Sequence, residues 1–98
     1  MNIHHVGYVI KNIEDCIISF PYLKLKKIVK DENQNARIGL FKNLNSKVYI
    51  ELIEPLNKKS YTWSFMQKGG GIHHICYFLG VPTRIAWSGF LGYRPLAG

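Results

Sequence analysis

The apolar positions of this chain fall mostly at a spacing of two, the signature of half-buried strands. Ile3–Ile10 reads as a first strand, with His5, Gly7 and Val9 on one face and His4, Val6, Tyr8 and Ile10 on the other. Lys11-Asn12 ends that run. Asn12 then suits a helix N-cap, with Glu14 and Asp15 in the first turn, where the helix dipole favours anions. Ile13, Cys16, Ile17 and Phe20 follow at three- and four-residue spacing, one helical face, and Pro21 stops the helix. Period two then returns. Leu23–Val29 alternates leucine with lysine, Ala36–Phe41 forms a third strand after the polar turn Asp31–Asn35, and Lys47–Ile53 a fourth after Asn43–Ser46. In the fourth, Val48, Ile50 and Leu52 share one face, and Tyr49, Glu51 and Ile53 the other. The first module is therefore β-α-β-β-β.

Residues 58–68 form a connection in which Tyr61, Trp63 and Phe65 suit a short helix laid on the core. Gly69-Gly70-Gly71 permits close approach of backbones. A phosphate-binding loop is excluded here, because a strand and not a helix follows the glycines. That fifth strand is Ile72–Leu79. Beyond it, Gly80-Val81-Pro82 interrupts the pattern, and residues 84–98 show no clear helix or strand period. The expected organisation is a module plus one extra strand over residues 1–79 and an atypical tail over 80–98.

The first and fifth strands open alike. Ile3-His4-His5-Val6 recurs as Ile72-His73-His74-Ile75, 69 positions later. A repeat of that length in a short chain implies two copies of a larger unit, the second cut short. Side chains alternate along a strand, so only one histidine of each pair is expected to face a shared interior. If His5 and His74 face the same way, two imidazoles converge, and imidazole is a common ligand for first-row metals. Read singly, each is better explained as an ordinary strand histidine, partly buried and satisfied by backbone, and the repetition weakens that explanation. Glu51 divides in the same way. Its face is either wet, or it is a buried carboxylate that requires a partner or a metal.

Composition narrows the classes. At 98 residues the chain is one small domain or part of one. A hydrophobic fraction of 47% argues against disorder. No apolar run is long enough to cross a membrane, and the start does not read as a signal peptide, so a cytoplasmic protein is expected. Cys16 and Cys76 are too far apart in sequence for a zinc knuckle or a small disulfide framework and should be free thiols. The net charge of +7 favours anionic partners. The lysines are nonetheless dispersed, and no recognition helix, zinc-finger spacing or ribonucleoprotein motif is present, which argues against nucleic acid.

Three segments in register carry a family resemblance: Ile3-His-His-Val-Gly-Tyr-Val-Ile-Lys-Asn-Ile, Tyr49-Ile-Glu-Leu-Ile-Glu-Pro-Leu, and Lys68-Gly-Gly-Gly-Ile-His-His-Ile-Cys-Tyr. The chain resembles the vicinal oxygen chelate superfamily, particularly its methylmalonyl-CoA epimerase and glyoxalase-like members, over residues 2–78. The resemblance implies an α+β fold built from βαβββ modules, here one module plus the first strand of a second. It implies truncation after the first module, with the architecture completed by dimerisation. By position it implies His5, Glu51 and His74 as metal ligands. The family's fourth ligand, a late glutamate, has no counterpart.

A nitrogen and oxygen set of this kind suits Co, Mn, Ni, Zn or Fe without choosing among them. The implied function is a metal-dependent epimerase or glyoxalase-like protein, an isomerase or lyase by ancestry. It would act on a small carbonyl compound or CoA thioester through an enolate, with an anionic substrate handle matching the charge. Glu54 and Glu32 are candidates for the proton acceptor by chemistry only. The alternative is a non-catalytic, resistance-type dimeric module with a cleft lined by Tyr8, Tyr49, Trp63 and Tyr77. A homodimer would offer a second arrangement, a symmetric site from His5 and Glu51 of both chains.

Overall fold

The computed structural model describes residues 2–78, 84–88 and 93–95, with Phe78 and the last two stretches described by backbone alone. The elements run β1 (Ile3–Val9), α1 (Ile13–Ile18), β2 (Leu23–Asp31), β3 (Ala36–Asn43), β4 (Tyr49–Pro55), α2 (Trp63–Gln67), β5 (Gly71–Phe78), β6 (Arg84–Ser88) and β7 (Tyr93–Pro95). The expected α+β class and βαβββ order are both observed. The strands form one sheet in the order β2-β3-β4-β1-β5-β6-β7. β1 runs parallel to β4 and antiparallel to β5. The remaining neighbours are antiparallel. No helix among the described residues is long and apolar enough to cross a membrane.

Local chemistry sets the element ends. The Asn12 side chain accepts from the Asp15 amide at 2.9 Å and caps α1, which closes at Ser19, two residues ahead of Pro21. In the β2–β3 turn, Asp31 Oδ1 accepts from the Asn33 and Gln34 amides, and Asn35 adopts the left-handed conformation at φ 50° that asparagine tolerates. The close approach expected of the glycine run occurs at Gly70. Its φ is 66°, and a side chain there would strike the carbonyl oxygen of Val9. That contact seats the entry to β5 beside the end of β1.

The two faces of the sheet carry different cores. On one, α1 covers the fully buried Ile13, Phe41 and Leu52, with Tyr8, Ile10, Cys16, Ile17, Leu23 and Ile50 packed around them. On the other, Val9, Ala36 and Ile53 pack with Ile38 and with Phe65 and Met66 of α2. The predicted helical face Ile13, Cys16 and Ile17 thus lies against the sheet, and Phe65 reaches the core as expected, whereas Tyr61 is exposed. α1 is also tied down by charge. Glu54 Oε1 accepts from the Ile13 amide at 2.8 Å, and Arg37 Nη2 donates to Glu14 Oε1 at 2.7 Å. The Arg37 hydrogen bond holds the Glu14 carboxyl below its ordinary range.

One expectation about the tail changes. Residues 84–88 and 93–95 are strands, and they extend the sheet outward from β5. Five- and three-residue strands are too short to register a period, and their order comes from the ladder that β5 offers. The Gly80-Val81-Pro82 interruption and Leu79 lie outside the described residues.

Because α1 has only six residues, its cap should matter. Asn12→Ala is expected to lower the unfolding free energy by about 1 kcal/mol, read from a urea titration.

Candidate metal centre

The face opposite α1 holds the site, and register alone assembles it. One row across the sheet runs Lys27–Leu40–Glu51–Gly7–His74, and its neighbour runs Lys24–Lys42–Tyr49–His5–Cys76. Residues paired in this way share a face. His5 on β1, Glu51 on β4 and His74 on β5 therefore project from three adjacent strands toward one point. Gly7 makes the convergence possible. A side chain there would collide with the His74 ring, so the imidazole lies directly over the β1 backbone.

The three side chains come together within hydrogen-bonding and ion-pairing distance. His5 Nε2 lies 3.2 Å from His74 Nε2. Glu51 Oε1 is 3.3 Å from His74 Nε2, and Glu51 Oε2 is 3.8 Å from His5 Nε2. One donor atom from each residue falls within 4.8 Å of the others. His5 and His74 are each only 2% exposed, and the Glu51 side chain is 11% exposed. The cluster is thus nearly dry, with the carboxylate on its wetter side.

Such a set must be electrically balanced. An ionised Glu51 beside two neutral imidazoles is a buried net charge of −1, which is costly without a counter-charge. Either an imidazolium or a cation can supply it. The spacing suits a cation. Two donors about 2.1 Å from one ion lie about 3.0–3.4 Å apart at bond angles of about 90–109°. The His5–His74 separation and the Glu51 Oε1–His74 separation fall in that window, and one donor atom from each of the three residues lies within 4.8 Å of the others. The residues present therefore fit a divalent ion.

Two histidines not anticipated as part of the site complete it. His4 Nδ1 is 2.7 Å from His5 Nδ1, and His73 Nδ1 is 2.9 Å from His74 Nδ1. The expectation that only one histidine of each pair turns inward is corrected, and the reason is in the ladder. Ile3 pairs with Tyr77 and His5 with Cys76, which leaves His4 as an extra residue on β1. Gly7 pairs with His74 and Tyr8 with Ile72, which leaves His73 extra on β5. A skipped residue breaks the alternation, so both members of a doublet can reach the same side. His4 leans on Tyr49 with ring centroids 5.6 Å apart, and His73 meets Phe65 edge-on at 5.0 Å. Burial pushes the His73 imidazole below its ordinary range, helped by the neighbouring His74 and opposed by Glu51.

Other candidates fall elsewhere. Glu54 sits on the α1 face capping Ile13 and 3.8 Å from Arg37 Nε, and Glu32 is in the exposed β2–β3 turn beside Lys30. Neither reaches the cluster. The aromatic set does not line one cleft. Tyr8 faces a cavity of about 160 Å³ on the α1 side, together with Cys16, Phe20, Tyr22 and Leu52, whereas Tyr49 stands on the opposite face beside His4. The three ligand candidates all come from one chain, so a symmetric site shared between two chains is not needed to bring them together.

Comparison with known proteins places the fold. Residues 4–98 match the model of the glyoxalase/bleomycin resistance protein/dioxygenase superfamily. The chain belongs to this superfamily. Its members usually bind a divalent metal. The match continues past Phe78, where the motif resemblance ends. A hypothetical protein of Bacillus halodurans C-125 shares 32% identity at a TM-score of 0.67, covering 76% of this chain and 55% of that one. Methylmalonyl-CoA epimerase from Mycobacterium tuberculosis shares the fold at 23% identity and a TM-score of 0.66, covering 76% and 52%. A Streptomyces coelicolor methylmalonyl-CoA epimerase variant, solved with 2-nitronate-propionyl-CoA, does so at 22% and 0.64, covering 76% and 59%. The chain thus spans little more than half the length of these structures. No curated protein matches it significantly.

Gly7→Ala tests the packing directly. The added methyl group should turn the His74 ring away, abolish the nuclear Overhauser contact between the His5 and His74 rings, and cost about 1–3 kcal/mol of stability while the sheet persists.

Proposed function

We propose that this chain holds a divalent metal ion on His5, Glu51 and His74 and is an epimerase- or glyoxalase-like protein acting on a small carbonyl compound or CoA thioester. The observation that carries the reading is the convergence of two imidazole nitrogens and one carboxylate in a nearly dry pocket. Three protein donors leave coordination positions for substrate oxygens. A bound ion would supply Lewis acidity, making the carbon next to a carbonyl a stronger acid and favouring the enolate. The protein's own part is to fix the two Nε2 atoms and the carboxylate, and to exclude water so that those charges act at low dielectric.

Charge on the same face favours an anionic substrate. Lys42 lies two strands from His5 along its row, and Lys27 two strands from Glu51 along the other. At about 4.8 Å per strand, both begin about 10 Å from the cluster. Both are exposed. A carboxylate or phosphate handle extending from the reacting carbonyl would pass over these lysines. The epimerase structure carrying 2-nitronate-propionyl-CoA shows a ligand of that general form in a protein of this fold.

The reading includes a cytoplasmic setting, which the free thiol Cys16 favours. It also includes a homodimer. β2 is an edge strand with Leu25 48% and Val29 45% exposed, a surface that invites pairing. The second reading, a non-catalytic ligand-binding module, is favoured by the apolar cavity beside α1.

The experiment uses protein purified without a metal-affinity tag. One divalent ion per chain is expected. His5→Ala, Glu51→Gln and His74→Ala should each weaken binding by more than the roughly 100-fold ceiling for outer partners. In deuterium oxide, the loaded protein should place deuterium on the carbon next to the carbonyl of methylmalonyl-CoA. Ligand binding without exchange would favour the second reading, and absence of metal would overturn the first. Solution mass decides the dimer.

A further inference from the structure

We infer that the cavity between α1 and the sheet is a binding site for a small neutral molecule built on one aromatic ring or a short branched hydrocarbon. The site lies on the face of the sheet opposite the metal cluster. Its floor includes Tyr8 of β1 and Ile50 and Leu52 of β4, whose strand neighbours Gly7 and Glu51 belong to the cluster's face. The inference goes beyond the proposed function and stands whether the chain is an enzyme or a binding module.

The cavity follows from where the helix stops. Ile13, Cys16, Ile17 and Phe20 share one helical spacing, but α1 closes at Ser19, ahead of Phe20. The Phe20 ring instead meets Tyr22 edge-on at 5.8 Å, and the two residues are 37% and 38% exposed. They stand at the mouth and leave the space over Leu52 open. Cys16 borders the same space from the helix with a short side chain. About 160 Å³ results. Apolar walls around such a space lack partner atoms on one side, and a guest restores those dispersion contacts.

The lining selects the guest. None of the described residues that border the cavity is charged, so an ion buried there would be costly. The rings of Tyr8, Phe20 and Tyr22 favour an aromatic guest, through offset and edge-to-face contacts. Volume limits it to about one ring, because an apolar protein cavity of about 150 Å³ takes up benzene.

The test titrates benzene into the whole chain, metal-free, and follows carbon-13-labelled methyl groups. Saturable shifts at Ile10, Ile50 and Leu52 are expected, with Overhauser contacts from the benzene protons to those methyls. Benzoate should bind at least about 10-fold more weakly than benzene, because its charge would enter an uncharged cavity. Cys16→Leu extends a side chain into a space with little to spare and should weaken benzene binding at least about 10-fold. Absence of saturable binding up to the solubility of benzene overturns the inference. So do contacts confined to the exposed Ile18 and Leu44, benzoate binding as tight as that of benzene, or unchanged affinity in Cys16→Leu. If that variant does not fold, the wild-type contacts decide alone. A chain that binds no metal would defeat the proposed function and leave this result untouched, since the titration contains none.

Discussion

The antiparallel pairing of β1 with β5 is the contact on which the site depends. It turns a sequence separation of 69 into a side-chain contact between His5 and His74. It also places His74 over Gly7, the one residue of β1 with no side chain to oppose the ring. β4 contributes Glu51 from the other flank of β1, through a parallel ladder that sets Glu51 opposite Gly7. β1 is therefore an axis with one donor of its own and one from each neighbour. A one-residue slip on either side would send a ligand to the α1 face. The two core clusters oppose that slip, because Val9 and Ile53 must stay on the site face and Leu52 on the other.

Charge balance then decides what the pocket can hold. Glu51 is buried against two imidazoles, so the cluster is stable with a shared proton or with a cation, and the two compete for the same atoms. The 3.2 Å separation of the Nε2 atoms serves both states, as a hydrogen bond in one and as neighbouring donors in the other. This economy explains why a dry carboxylate is tolerated at all.

Much of this was legible in the sequence. Period two and a single helical face gave the βαβββ order, because both signals report burial on one side of an element, and burial is what the sheet imposes. Asn12 and the glycine run were legible because their chemistry is local: a cap within three residues and a backbone that must pass close to another. Parity separated His5, Glu51 and His74 from their strand neighbours, and the family resemblance put the three together. His4 and His73 could not be placed with them. Parity assigned them to the far face, and a bulge is a property of two strands in register, not of either strand alone. The doubled histidine was the available signal, repeated at the two places where the ladder skips. Glu54 failed as a site residue for the complementary reason. Three positions from Glu51 in a strand is the opposite face, and there it meets the amide of Ile13.

The short span of the chain bears less on this site than its length suggests. All three donors and both outer histidines lie between His4 and His74, on β1, β4 and β5. The sheet extends beyond these strands on both sides, through β3 and β2 in one direction and β6 and β7 in the other. β1 and β4 are flanked by a strand on both sides, and β5 pairs with β1 along its length and with β6 over Ile75–Phe78. Convergence of the three side chains is thus fixed by the inner strands.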